Sequence, residues 1–136
     1  MASEYKWIGQ VTEDGAALGF AIPESDAIKL DFHCDRKTKK IVVNYAHEPK
    51  DAKDGMRLEA QLSLRGQKSG VKISMKGERL ELDDTFLLQG EILMSPQLRQ
   101  IFASTGVLLV AVNGHAEEIP LKDISQAARQ LRSSCP

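Results

Sequence analysis

With 136 residues the chain holds one domain, and at that size folding buries roughly two thirds of the unfolded surface, so a core forms without a metal or several staples. A formal net charge of −1 and an aromatic content of 5% take away the bulk positive charge and the stacking rings that nucleic-acid binding uses, and they give no pull toward an anionic membrane. The hydrophobic residues never run for the ~18–20 positions of a spanning helix; the longest apolar stretch, Val107 to Val112, has strand length.

Trp7 to Val11 reads as a first short strand, and Glu13-Asp14-Gly15 as a turn. Ala16 to Ile22 is a second apolar run, ended by Pro23-Glu24-Ser25-Asp26. Ile28 to Cys34 alternates cleanly, with Lys29, Asp31 and His33 on one face and Ile28, Leu30, Phe32 and Cys34 on the other, the pattern of a half-buried strand. The polar run Asp35 to Lys39 turns the chain, and Lys40 to His47 pairs back as a hairpin. The segment 48–55 is a loop. Arg57 to Arg65 alternates again, and Gly66 to Gly70 turns it into a strand marked by Val71, Ile73 and Met75. Lys76-Gly77-Glu78 is read as the next turn, with Leu80 and Leu82 beyond it. Phe86 to Met94 is apolar, and Gly90 inside it is read as a bulge.

Ser95-Pro96 opens a short helix, serine as N-cap and proline in the first helical position. Leu98, Ile101 and Phe102 form its inner face, and Gly106 is placed at its C-terminal end. Val107 to Val112 and Ala116 to Leu121 flank Asn113-Gly114, a hairpin signal because both turn positions need positive φ. Asp123 is read as the cap of a final helix, with Gln126 completing an approximate capping box. Ile124, Ala128, Leu131 and Cys135 follow at offsets 0, 4, 7 and 11, one face of that helix. The expected fold is mainly β (α+β): a single domain over 1–136, an antiparallel β-sandwich or β-roll with a short helix and a C-terminal helix packed on the sheet.

The two cysteines, Cys34 and Cys135, each point from a regular element toward the core. That arrangement suits one disulfide pinning the last helix to the sheet, which places the protein outside the reducing cytosol. The alternative is a pair of buried free thiols in a cytosolic protein. Met1 to Lys6 lacks the hydrophobic region of a signal peptide, so an exported chain is expected here in its mature form, with Met1 as an added start.

Asp31, His33 and Asp35 share one strand face opposite Cys34. Such an i, i+2, i+4 set can offer two or three ligands to a divalent ion, and His47 on the neighbouring strand supplies a fourth donor. The same residues are what a half-buried strand turns toward water, and that reading is adopted: no metal, cofactor or catalytic residue is assigned. His33 cannot activate Cys34, because adjacent strand residues point to opposite faces. Gly66 to Gly70 lacks the lysine spacing of a phosphate loop. The basic run Arg36 to Lys40 reads as a solvated turn, His115 as exposed, and the acidic pairs Asp83-Asp84 and Glu117-Glu118 as turn or strand-edge residues.

The ending, Ile119 to Leu131 and on to Cys135, resembles that of exported proteobacterial families, the invasion-associated locus B proteins and the type VI secretion-associated exported proteins. The shared features are an apolar strand, a capped helix with an alanine-rich face, a leucine and a late cysteine. The segment Leu18 to Ser25 is similar to periplasmic proteins of the same bacteria. The resemblance implies a periplasmic address and a disulfide from strand to terminal helix. The expected role is a non-enzymatic binding domain for a protein or envelope component. The alternatives are a metal-dependent or hydrolytic enzyme on the Asp31/His33/Asp35 face, and a cytosolic ligand-binding or structural domain with free thiols.

Overall fold

Alternating segments become strands because successive side chains leave a strand on opposite faces, and only one face can be buried against a common core. The computed structural model describes residues 4–82 and 84–136; Met1 to Ser3 and Asp83 lie outside them. The described residues form β1 (Lys6–Val11), β2 (Gly15–Ala21), β3 (Ile28–Asp35), β4 (Lys40–Ala46), β5 (Arg57–Leu64), β6 (Val71–Leu80), β7 (Thr85–Leu93), α1 (Pro96–Phe102), β8 (Val107–Val112), β9 (His115–Pro120), α2 (Ile124–Ala127) and α3 (Arg129–Ser134). All strand pairs are antiparallel, in one sheet of order β1-β2-β3-β4-β7-β6-β5-β8-β9. The protein is mainly β with helical additions, and of the two expected architectures it takes the roll: a single sheet curls over its own apolar face.

The register carries one continuous apolar row across the inner face. Leu18 faces Phe32, Phe32 faces Val43, Val43 faces Gly90, Gly90 faces Met75, and Met75 faces Leu58. The side chains of this row are buried. Helix α1 lays Leu98, Ile101 and Phe102 into the same core, with Phe102 edge-on to Phe32 at 5.2 Å. Ser95 caps it as expected, its hydroxyl accepting from the Leu98 amide. Helices α2 and α3 pack on the β1–β3 end of the sheet. The two edge strands meet there: Trp7 Nε1 on β1 donates to the Pro120 carbonyl on β9 at 2.8 Å.

Cys34 and Cys135 are joined in a disulfide, with Cα atoms 6.1 Å apart and a separation of 101 positions in sequence. Ile124, Ala128, Leu131 and Cys135 are all fully buried, as the helical spacing required. The Asn113-Gly114 hairpin also forms with positive φ at both positions.

Four expectations are corrected. Lys76-Gly77-Glu78 is not a turn; β6 runs straight through it. Gly77 is the inward position opposite Leu88, and a Cβ there would lie 2.4 Å from the Phe86 ring. The glycine makes room for that ring, and the turn falls after Leu80. Gly90 is not a bulge: the β4–β7 ladder keeps register through it, and the β6–β7 ladder begins at its pair with Met75. Gly106 does not end α1. The helix stops at Ala103, and the Gly106 carbonyl instead accepts from the Leu121 amide. The terminal helix is two short helices meeting at Ala128. Asp123 sits in the left-handed region (φ 68°) and makes no side-chain cap, so the capping box is absent.

Two stability predictions follow from this geometry. Replacing both cysteines (Cys34→Ala with Cys135→Ala) releases a closed loop of about 100 residues, and equilibrium urea unfolding should show a loss of roughly 2–5 kcal/mol. Gly9→Ala places a Cβ 1.8 Å from the Ala127 carbonyl oxygen of α2. Backbone cannot rotate away as a side chain can, so α2 must lift from β1; a loss of about 1–3 kcal/mol and faster amide exchange at residues 124–128 are expected.

Candidate functional site

Two polar arrangements stand out, one on each face of the sheet. On the outer face, β3 turns Asp31 and His33 away from the core. His33 Nε2 lies 3.3 Å from Asp31 Oδ1, and the same oxygen accepts from Asn44 Nδ2 at 2.8 Å. Gln89 Nε2 then donates to Asn44 Oδ1 at 2.8 Å. A polar ladder thus crosses β3, β4 and β7. The hydrogen bond to Asp31 is the main cause holding His33 above its ordinary pKa, with burial opposing it and the carboxylate's charge adding to it.

The four residues singled out as potential metal donors do not come together. Asp35 is committed to the β3–β4 turn: its Oδ1 accepts from the Lys37 amide at 2.8 Å and the Thr38 amide at 3.2 Å. These two bonds, Thr38 first, hold its pKa below the usual carboxylate value. His47 stacks on Tyr45, a core-facing residue of β4, and so belongs with the opposite face of the sheet from Asp31. In the basic run, Lys39 Nζ donates to the Ser134 carbonyl and Lys40 pairs with Glu91, so this turn helps seat the C-terminal helix.

A shallow groove opens beside the Asp31–His33 pair. Its floor is the small outward side of β2, Ala17, Gly19 and Ala21, and its walls are Ile8 of β1, the loop 22–25 and Ile28 of β3, which strict alternation places on the core face but which a register shift opposite Phe20 and Ala21 leaves 45% exposed on the outer one. Its volume is about 270 Å³. A second hollow of about 390 Å³ shares Ile28 and Asp31 with it and extends toward Lys29, Asn44, Leu80 and Leu87. A third shares His33 and reaches Asp14, Asp35 and Lys40.

The second polar arrangement was not anticipated from sequence. Glu117, read as a strand-edge residue, lies opposite Val110 and therefore on the core side of β9. It accepts a 2.5 Å hydrogen bond from Tyr45 Oη, and the Lys29 ammonium stands 3.3 Å from its other oxygen. Burial first, and then the bond to Glu117, push the Tyr45 phenol far above its ordinary pKa; it stays protonated and serves as a donor. His47 and His115 stack at 4.2 Å, 13° from parallel. Burial and the charge of His115 push His47 below its ordinary value, Lys29 adds to the same direction, and Glu117 opposes it. His115 is exposed as expected, but one of its ring faces is taken by His47. A signal for this cluster was present. A two-residue turn at Asn113-Gly114 fixes the hairpin register, which pairs Val112 with His115 and Val110 with Glu117.

Comparison with protein-family models, with curated proteins and with solved structures finds no match.

The two histidines give opposite pH signs. His47 is depressed in the fold, so its contribution to stability is present above its unfolded value near 6.5 and is lost as pH falls through the folded value. His33 is raised, so its contribution is present below about 6.5 and lost as pH rises through the folded value. In urea titrations between pH 5 and 8, His47→Gln should flatten the fall in stability on the acid side. His33→Gln should remove a loss on the neutral side. A wild-type profile unchanged by either substitution would contradict these assignments.

Proposed function

We propose that this protein is a non-enzymatic binding domain of an oxidising compartment, the bacterial periplasm, where it engages a protein or envelope component. The observation that carries the reading is the disulfide between Cys34 and Cys135. Bonds of this kind persist outside the reducing cytosol, and this one joins a central strand to the chain's last helix, where it does structural work. The likeness of the chain's ending to exported proteobacterial families supplies the periplasm as the compartment.

Binding rather than chemistry is supported by how the side chains are used. The curled interior is filled by Phe32, Tyr45, Phe102 and the aliphatic residues around them. The concave ground lies on the outer face, where an apolar floor meets the Asp31–His33 pair. Apolar ground with a few fixed polar groups at its rim is the usual composition of a recognition surface.

Fractionation of cells carrying the untagged native gene tests the address. The protein should leave with the periplasmic fraction, and its intact mass should rise on reduction by two hydrogens. Recovery from the cytosol with both thiols open to alkylation would overturn the proposal. Photo-crosslinking from positions on the outer face, in living cells, should then give a discrete adduct; none from any position on either face would overturn the binding role.

A further inference from the structure

Resting on the binding role above, we infer that the outer-face groove along β3 is a docking track for an extended, positively charged polypeptide segment. Three observations point there. The first is continuity. The hollow beside the β3–β4 turn, the one floored by β2 and the one reaching Leu80 adjoin in sequence, sharing His33 and then Ile28 with Asp31. They follow β3 over its eight residues, roughly 23 Å at strand rise, enough for about seven residues of extended chain.

The second is charge. Asp14, Glu24, Asp26, Asp31, Asp35 and Glu91 line the three hollows, against two lysines. Lys40 is paired with Glu91 and offsets it, Lys29 is paired with Glu117 outside the hollows, and five carboxylates remain beside His33, itself engaged with Asp31. Asp31 sits at the centre, held in place by Asn44 and His33. A molecule of net charge −1 thus concentrates acidity along one track, and complementary potential selects a cationic occupant.

The third is relief. Ile28 and Leu80 stand 45% and 40% exposed at the walls, while Ala17, Gly19 and Ala21 keep the floor low. An extended chain sends alternate side chains to opposite sides. One set can lie over the alanines and against Ile28 while the termini of lysine or arginine side chains reach the flanking carboxylates. A compact cation would satisfy the charge and leave the apolar walls uncovered.

The test uses the intact, oxidised full chain and a fluorescent peptide of about ten residues alternating lysine and valine, with a glutamate–valine peptide of the same length. The lysine peptide should bind, more weakly as salt is raised, and should shift backbone amide resonances at residues 17–21 and 28–33. Asp31→Asn should lower its affinity roughly tenfold. Gly19→Ala should lower it as well by raising the floor; its Cβ meets only ordinary contacts of 3.5 Å and beyond, so the fold should be kept, as an unchanged melting temperature would verify. Glu59→Gln, on β5 and outside the groove, should bind as wild type. Equal binding of the glutamate peptide, resonance shifts gathered at His47 and His115, or wild-type affinity in both folded groove variants would each overturn the inference. A crosslinked native partner whose footprint avoids β2 and β3 would also overturn it and leave the binding role standing. A reduced cytosolic protein would instead remove the role itself.

Discussion

The fold depends on closing one curled sheet over a single apolar face, and the bond between Cys34 and Cys135 is the covalent part of that closure. A nine-stranded sheet curling about one core has two edges and an open end to manage. Here the helices of the last segment occupy the β1–β3 end, and the disulfide fixes the second of them to the inner face of β3. The staple is worth having because the helices it holds are short. Four and six residues are far below the length at which a helix is stable alone in water. Their stability comes from burying Ile124, Ala128 and Leu131, at roughly 1.5–3 kcal/mol for each large aliphatic side chain, and the crosslink prevents that burial from fraying at the terminus.

Much of this is legible in the amino-acid sequence. Period-two alternation located β3 and β5, and the Asn-Gly pair located the β8–β9 hairpin. The Ser-Pro pair located α1, and the spacing from Ile124 to Cys135 gave the buried face of the last segment. Each of these signals is local, fixed by one element's period or one turn's dihedral angles. The errors lie where a distant residue decides. Gly77 looks like a turn residue until Phe86, nine positions on, is seen to need its space. Asp123 looks like a helix cap, but its left-handed backbone turns the side chain away from that task.

The candidate site divides along the same line. Asp31 and His33 were found because they alternate within one strand. Their grouping with Asp35 and His47 failed for two reasons of different kind. Asp35 bonds to its own turn amides, a local competition that asparagine and aspartate commonly win. His47 lies on the Tyr45 side of the sheet, a matter of strand parity. Glu117 was overlooked because glutamate on an edge strand is normally solvated. Its inward direction follows from hairpin register, but its tolerance depends on Tyr45 and Lys29, which approach from strands far away in sequence.

The two polar arrangements place different demands on the protein. An inward carboxylate is expensive unless its oxygens are satisfied. Glu117 is therefore supplied with a phenol donor on one oxygen and an ammonium on the other, and of the stacked histidines beside it His115 is exposed and His47 partly so. Such a cluster is engaged with its own strands. Asp31 is held as well, by Asn44 and His33 on the outer face, with 13% of its side chain left exposed there. The interior is packed, and the inner-face polar groups are occupied in joining β9 to β3 and β4. In the proposed binding role recognition falls to the outer face, where the small residues of β2 leave relief. The sheet's curvature, set by the core and secured by the disulfide, keeps that relief in a fixed shape, so a partner need not order the surface on which it lands.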